Sequence, residues 1–340
     1  MKCSKPLALL LFCGACGACG GPVSEIAVSK TAVSKTAVSE IAVSEAASGD
    51  SLSGVLSPVP SALFDPGGET VMKTLALAYP GVIGPAVFIN GDWAAPIRGV
   101  LCYWAEGRLL PEEKRSMAGQ YDPYEFYAYP AVLPEWREPD PVLAEWLENE
   151  TERYKTSPVN RNPYFLDSLY RSRDEEESST RLSLVSFLGR RIPVHYLVLE
   201  ELFLVEEQIK NAAKISPAVQ QWIENLALTK NPQSAIVVSW KYRVITGTRT
   251  KSFHSYGAAL DLVPDSFKGL EHYWAWTREK QTDWWNTPYD KRYQPPEEVI
   301  RAFESYGFIW GGKWEFFDTG HFEYRPEILM LNGIPMAEYR

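Results

Sequence analysis

Apolar residues recur at helical spacing in three stretches of the C-terminal half. Residues 199–212 carry apolar side chains three or four positions apart. A second stretch begins at Ser216, a suitable N-cap, followed by Pro217 at the first helical position. A third covers residues 296–306 and is stopped by Gly307. These patterns predict three helices, each with one face turned towards a core.

Between and after these helices lie short apolar runs typical of strands. Residues 235–240 (AIVVSW) and 259–263 (ALDLV) are nearly continuous apolar runs, which favours buried strands. Residues 321–325 alternate and predict a final strand. Helices and strands follow each other without a βαβ rhythm, so we predict an α+β domain with a mixed or antiparallel sheet and flanking helices.

The stretch before residue 182 has a different pattern. Apolar runs at 86–89 and 98–105 flank the turn-like Asn90-Gly91-Asp92, which predicts strands. Residues 120–181 are rich in Pro, Tyr and charge and have no clear period. We therefore expect loops and short helices on the outside of the molecule there.

The first residues resemble a secretory signal. Lys2 and Lys5 precede a short apolar run at 7–12, followed by small residues and cysteines. The run is too short to span a bilayer. Cys16 and Cys19 both follow a Gly-Ala pair, as a lipidated cysteine would. We therefore predict an exported protein, periplasmic or at the cell surface, that is either soluble or tethered by an N-terminal lipid anchor.

The next segment predicts a spacer. Residues 22–46 are five pentads of the type AVSKT or AVSEI, with small residues and no aromatics, which cannot bury a core. The domain organisation that we predict is a signal peptide at 1–19, a disordered spacer at 20–61, an accessory β-rich and loop region at 62–181, and a catalytic domain at 182–340.

Composition narrows the chemistry. The 340 residues carry a formal net charge of -9 and no run rich in Lys or Arg, which argues against a nucleic-acid partner. Four of the five cysteines fall in the signal region, so Cys102 alone belongs to the folded body. A disulfide framework and a cysteine-based zinc site are thereby excluded.

Two short segments can carry chemistry, and each holds one of only four histidines. The first, residues 252–261 (SFHSYGAALD), has His254 in a turn relaxed by Gly257 and Asp261 in the strand that follows. The second, residues 318–323 (DTGHFE), has Asp318 across a Thr-Gly turn from His321.

Two histidines and one carboxylate form a ligand set for catalytic zinc, with a fourth position left for water. We therefore predict His254, Asp261 and His321 as metal ligands. Hydrolysis by a metal-activated water also needs a carboxylate that takes a proton from the water and passes it to the leaving group. Asp318 is the natural candidate, and Glu315 and Glu323 are its rivals. Glu323 shares a strand face with His321 and could instead orient that ligand.

The string SFHSYGAALDLVP resembles the SxHxxGxAxD signature of the D-alanyl-D-alanine carboxypeptidase and dipeptidase family of zinc peptidases. The downstream string FIWGGKWEFFDTGHFEYRPE is similar to the second motif of that family, an acidic residue three before a histidine. The resemblance covers roughly residues 182–330. It implies the hedgehog-like zinc peptidase fold, the same three ligands, and Asp318 as general base.

The family also has a substrate-side arginine ahead of the first motif. Arg243 fits that position, and Arg249 is the nearer alternative. A guanidinium there can bind a peptide carboxylate or polarise the scissile carbonyl. His195 lies in an apolar run and is interpreted as a core histidine, and His272 as a surface-loop histidine. These two are the fallback ligands.

Other hydrolase classes lack their signatures in this chain. There is no HExxH, no serine with lysine three residues later, and no GxSxG. The sequence therefore predicts an exported zinc peptidase acting on the stem peptides of the bacterial cell wall, as a D,D-carboxypeptidase. Two alternatives stay open: an endopeptidase with the same site, and a non-catalytic surface or wall-binding protein that retains the fold.

Overall fold

The structure, a computed structural model, describes residues 64–156, 159–227 and 237–337. The predicted signal peptide and spacer lie outside these residues. Among the helices described, none combines the length and the apolar character needed to cross a membrane.

The N-terminal part of the described chain combines a helix with a β-meander. Helix α1 spans Gly67–Ala78 and is followed by strands β1 (Val87–Ile89), β2 (Asp92–Ile97), β3 (Val100–Tyr103) and β4 (Leu110–Pro111). The strands pair in the order β1-β2-β3-β4, each antiparallel to its neighbour.

The meander contains the predicted turn and, after β2, a second turn of the same conformation. Asn90 and Gly91 both have positive φ, at 53° and 77°, as a two-residue hairpin turn requires. Arg98 and Gly99 repeat this conformation, so the run predicted as one strand at 98–105 begins with a turn, and β2 precedes it. Helix α1 was not predicted.

The middle of the chain is more helical than predicted. A 3₁₀ segment at Glu112–Gln120 leads to α2 (Pro141–Thr156), α3 (Tyr164–Tyr170) and α4 (Glu175–Ser179). The expectation of short outer helices is wrong for two of them. Helix α2 has 16 residues, and α3 buries four of its seven side chains in the core.

The C-terminal part opens with an antiparallel hairpin of β5 (Leu182–Phe187) and β6 (Arg190–His195). Two helices follow, α5 (Leu199–Ala213) and α6 (Pro217–Ala227), within a residue or so of their predicted positions. Their buried residues include Leu202, Val205, Ile209, Val219 and Trp222, which confirms the predicted apolar faces.

A four-stranded antiparallel sheet forms the centre of this part. Its strands are β7 (Val237–Val238), β8 (Ala259–Leu262), β9 (Phe308–Trp310) and β10 (His321–Tyr324), in the order β7-β8-β10-β9. Helices α7 (Trp274–Arg278), α8 (Glu297–Glu304) and α9 (Pro326–Leu331) complete the chain. The α+β class with an antiparallel sheet is confirmed. Residues 235–236 of one predicted strand lie outside the described residues.

One hydrophobic core runs through the described residues on both sides of residue 182. It includes Val71 and Leu75 of α1, Leu169 of α3 and Phe322 of β10. Helix α1 packs against α9. The N-terminal part therefore packs against the elements that carry the candidate site.

Candidate metal centre

The register of the central sheet brings two predicted ligands together. In the antiparallel pair of β8 and β10, Asp261 and His321 are direct partners. Side chains of directly opposed residues lie on the same face of a sheet and close together. Their separation of 60 positions along the chain therefore does not keep their functional groups apart.

The third predicted ligand, His254, is presented by a 3₁₀ turn at Phe253–Tyr256 that directly precedes β8. The side chain of Ser252 caps this turn by accepting a hydrogen bond from the His254 N–H, at 3.3 Å. The turn ends at Gly257, with φ of +66°. A Cβ on Gly257 would lie 2.9 Å from the backbone nitrogen of His195, so only glycine fits here.

The three side chains converge on one carboxylate oxygen. Asp261 Oδ1 is 3.1 Å from His254 Nε2 and 2.9 Å from His321 Nδ1. One ligand atom from each residue lies within 4.8 Å of the other two. Ligand atoms around a tetrahedral zinc ion are separated by roughly 3.3 Å. The two separations that involve Asp261, 3.1 and 2.9 Å, are within a few tenths of an ångström of this spacing, so the His₂Asp donor set fits a metal ion.

Electrostatics at this cluster are strongly coupled. Burial opposes the charged form of Asp261, but hydrogen bonds from His254 and His321 hold the pKa of that carboxyl well below its usual range. Burial also opposes a charged His321, yet hydrogen bonds to Asp261 and Glu323 raise the pKa of His321 to about 10. The cluster thus pairs the anionic carboxylate of Asp261 with the cationic imidazole of His321. A bound metal cation can replace the positive charge of the imidazole.

Each histidine has a partner on its second ring nitrogen. His254 Nδ1 donates to the backbone carbonyl of Ser239, the residue after β7, at 2.5 Å. His321 Nε2 donates to Glu323 Oε2 at 3.1 Å. The indole of Trp314 packs 5.5 Å from the His321 ring, centroid to centroid. These contacts direct His254 Nε2 and His321 Nδ1 towards Asp261.

Asp318 approaches the cluster from the turn before β10. Its backbone N–H donates to the Gly311 carbonyl at 3.0 Å, and a Cβ on Gly311 would come within 2.6 Å of the Asp318 carbonyl. Burial raises the pKa of the Asp318 carboxyl to about 6, while the charges of His321 and Asp261 act on it in opposite directions. Asp318 therefore lies within electrostatic reach of the candidate ligands.

Arg243 is half-buried next to the turn that carries His254. Its backbone N–H donates to Ser255 Oγ at 2.8 Å, and Ser255 Oγ donates back to the Arg243 carbonyl at 2.6 Å. The alternative, Arg249, is exposed, and its backbone N–H donates to the Val159 carbonyl. The two hydrogen bonds of Ser255 thus join Arg243 directly to the candidate metal turn.

Tyr273 also belongs to this region and was not predicted. It is the direct antiparallel partner of Asp318 in an isolated bridge. Burial raises the pKa of its phenol, with Asp318 and Asp261 raising it further and Arg243 lowering it. Tyr273 thus lies where charges of the predicted base, ligand and arginine all act. Ser239 was missed as well, and neither residue has a sequence signal beyond its neighbourhood.

The remaining predicted residues are not members of the cluster of three ligands, and His272, predicted in a surface loop, is half-buried. His195 is fully buried: its Nε2–H donates to the Tyr170 carbonyl at 2.7 Å, and its Nδ1 accepts from Leu197 N–H at 3.1 Å. His272 stacks on Phe267, with ring centroids 3.6 Å apart. The carboxylate of Glu315 acts on the pKa of the Tyr289 phenol.

Two family models match parts of the chain. One, described as a domain of unknown function, covers residues 71–126, which include most of α1 and the β-meander. The other, described as D-alanyl-D-alanine carboxypeptidase, covers residues 246–324 and includes the three candidate ligands and Asp318. Searches of curated proteins and of solved structures found no match. The segment at 246–324 is therefore a domain of the D-alanyl-D-alanine carboxypeptidase family of peptidases.

Proposed function

We propose that this protein is a zinc-dependent D,D-carboxypeptidase that removes the terminal D-alanine from stem peptides of the bacterial cell wall. One observation carries the proposal. His254, Asp261 and His321 converge within 4.8 Å, and Asp318 is within electrostatic reach, inside a segment of the peptidase family. The hedgehog-like zinc peptidase fold is part of the same proposal.

The donor set favours zinc as the metal. His254 Nε2, Asp261 Oδ1 and His321 Nδ1 would hold it, and three protein ligands leave one position for water. When bound, zinc supplies Lewis acidity that makes a water molecule nucleophilic near neutral pH and polarises a carbonyl. Both histidines reach this geometry with the second nitrogen already hydrogen-bonded.

The residues around the donor set have separate roles. Asp318 accepts the proton of the attacking water and delivers it to the leaving amine of D-alanine. Burial raises the pKa of this carboxyl, whereas a metal cation held by the neighbouring ligands would favour the ionised form that accepts a proton. Arg243 binds the terminal carboxylate of the peptide, as a guanidinium binds carboxylates through paired hydrogen bonds. Recognition of a terminal carboxylate by Arg243 would distinguish a carboxypeptidase from an endopeptidase.

The place of action is proposed from the N-terminal sequence. A secretory signal at 1–19, with Cys16 or Cys19 as the lipidated residue, and the pentad spacer support an exported, membrane-tethered enzyme. The partners would then be the stem peptides of peptidoglycan, and a membrane through the lipid anchor.

The test uses purified full-length protein and a synthetic stem peptide that ends in D-Ala-D-Ala. We expect about one zinc per chain and release of D-alanine, detected by mass spectrometry. His321→Ala should lose both zinc and activity, whereas His272→Ala, at a histidine outside the cluster, should keep both. Full zinc content in His321→Ala would contradict the ligand assignment. Internal cleavage of cross-linked wall peptides without D-alanine release would identify an endopeptidase. Zinc content without turnover on either substrate would favour a binding protein.

A further inference from the structure

A buried chain of charged side chains extends from the candidate metal centre. Glu323, Arg325 and Glu327 are each no more than 7 % exposed. Glu323 accepts a hydrogen bond from His321 Nε2 through one carboxylate oxygen, and its other oxygen lies 3.5 Å from Arg325 Nη1. Arg325 Nε in turn donates to Glu327. Arg325 therefore holds two carboxylates at once, and one of them is bonded to a candidate ligand.

Burying charges in this way is costly unless they are paired and fully hydrogen-bonded. Apolar side chains of similar volume in place of a buried ion pair are often neutral or stabilising. The presence of three buried ionic groups in a row, starting at His321, therefore indicates a role beyond stability.

The row of buried charged side chains extends beyond the segment that matches the peptidase family. That segment stops at residue 324, so Arg325 and Glu327 lie beyond it. The phenol of Tyr79 donates to Glu327 Oε2 at 2.7 Å, and Arg325 Nη2 donates to the Glu125 carbonyl at 3.2 Å. Tyr79 follows α1, and both Tyr79 and Glu125 belong to the 71–126 region of unknown function.

We propose that the 71–126 region positions the metal centre, by holding Glu327 and Arg325 so that Glu323 stays hydrogen-bonded to His321. The inference rests on the proposed metal ligands. A carboxylate that accepts from the far nitrogen of a ligating imidazole fixes the orientation of the ring and increases its basicity. Tyr79 binds one oxygen of Glu327 and leaves the other facing Arg325. The contact of Arg325 with Glu323 therefore depends on Tyr79, a residue of the N-terminal part. Tyr79, Arg325 and Glu327 are thus positioning residues.

The test measures zinc affinity by competition with a chelator, under conditions where every variant is fully folded. Loss of a direct outer partner of a ligand costs about 10–100-fold in metal affinity. The direct partner here is Glu323, and Glu327 and Arg325 lie between it and Tyr79. Tyr79→Phe should therefore weaken zinc binding by a smaller factor, about 3–10-fold. Glu327→Gln weakens the next contact on this route, the ion pair of Glu327 with Arg325, and should lower zinc affinity at least as much.

Tyr124→Phe is the matched control. Tyr124 is a buried tyrosine of the same core, and its hydroxyl donates to the Asn162 carbonyl at 2.7 Å, outside the charged chain. Its substitution should lower stability without changing zinc affinity. A fall in zinc affinity equal to that of Tyr79→Phe would show a general loosening of the core and overturn the inference.

A double-mutant cycle tests the route. In a Glu323→Gln background, Tyr79→Phe should have no further effect on zinc affinity, because its influence passes through Glu323. Equal effects in both backgrounds would overturn the inference. If the parent protein binds zinc but Tyr79→Phe binds it equally well, the inference alone fails. If the parent protein binds no zinc, the proposed function fails and takes the inference with it.

Discussion

At the residue scale, the geometry of the candidate site depends on the hydrogen-bond partner of the second ring nitrogen of each histidine. His254 is held by the Ser239 carbonyl and His321 by the Glu323 carboxylate. Each hydrogen bond determines which ring nitrogen keeps its proton and which is left for a metal. Both remaining nitrogens lie about 3 Å from the same oxygen of Asp261. The Ser239 carbonyl and the Glu323 carboxylate therefore orient both candidate ligand nitrogens towards Asp261.

Replacing Asp318 by Asn tests the proposed base. Asp318→Asn keeps the shape of the side chain and removes its basicity, so kcat should fall by about 10²–10⁴-fold while zinc content stays. Glu315→Gln is the control and should turn over normally. Glu323→Gln should weaken zinc binding more than it slows the metal-loaded enzyme. The measurements are kcat and zinc stoichiometry for the three variants, and normal turnover by zinc-loaded Asp318→Asn would contradict the mechanism.

Substitution of Arg243 tests substrate recognition. Arg243→Ala should lower kcat/KM by about 2–4 kcal/mol equivalent if the guanidinium binds the peptide carboxylate or the developing oxyanion. The fold should be little changed, since the hydrogen bonds to Ser255 come from the Arg243 backbone. Arg249→Ala, at an exposed arginine six residues along the chain, is the control. A larger loss of kcat/KM in Arg249→Ala would reverse the assignment.

At the scale of elements, two features bring distant residues together: the register of β8 with β10, and the 3₁₀ turn before β8. A slip of one residue in this register would move His321 to the opposite face of the sheet. The turn is tied to the hairpin of β5 and β6 because the His195 N–H donates to the Gly257 carbonyl at 2.9 Å. The position of His254 thus depends on an element outside the central sheet.

Gly257→Ala tests this dependence. A left-handed conformation costs a non-glycine residue about 1–2 kcal/mol. The new Cβ would also lie 2.9 Å from the His195 nitrogen and 2.7 Å from Leu182 Cδ2. Overpacking of this kind typically adds about 1–3 kcal/mol. We expect a larger loss in the free energy of unfolding than from backbone strain alone, together with weaker zinc binding as His254 shifts.

Gly189→Ala is the matched control for Gly257→Ala. Gly189 also has a positive φ, 78°, but a Cβ there meets nothing within 4 Å. Its substitution should cost only the backbone strain and leave zinc binding unchanged. Equal losses of unfolding free energy in the two variants, measured by denaturant titration, would show that the contact with the hairpin is unimportant.

At the scale of the whole molecule, the buried His195 makes stability depend on pH. Burial lowers the pKa of His195 from 6.5 to about 4 in the folded protein. The unfolded chain therefore takes up a proton at a higher pH than the folded protein does. The stability associated with neutral His195 is present above pH 6.5 and is lost as the pH falls towards 4.

The expected size of this loss is about 3 kcal/mol across that window, at 1.36 kcal/mol per pKa unit. Denaturant unfolding at pH 7 and at pH 4.5 would measure it. His195→Asn is less stable throughout, but its stability should fall less between the two pH values. An identical fall in both proteins would contradict the assigned protonation of His195, since His272 and the carboxyl groups are common to both.

The proposed export signal and spacer predict how the whole protein is distributed between membrane and soluble fractions. Deletion of residues 1–56 should release the protein from the membrane fraction and leave its activity on soluble stem peptides unchanged. Every candidate site residue, from Arg243 to Glu323, lies outside the deleted segment. Cell fractionation and a peptide assay would measure the two effects. A truncated protein that fails to fold would contradict the interpretation of residues 20–61 as a spacer.

Some features of this protein could be predicted from the sequence because they are local. The apolar faces of α5, α6 and α8 follow from helical spacing, and the Asn90-Gly91 turn follows from the ability of these residues to adopt positive φ. The two histidine motifs contain the residue types that a zinc site needs, and the match at 246–324 confirms the family.

Other features depend on contacts between distant residues, and only the tertiary structure decides them. The pairing of Asp261 with His321, the Ser239 carbonyl behind His254 and the position of Tyr273 opposite Asp318 all depend on strand register. The connection from Tyr79 through Glu327 to the metal centre joins residues 248 positions apart. Local sequence patterns carry no information about such pairs, because burial and register are determined jointly by the whole core.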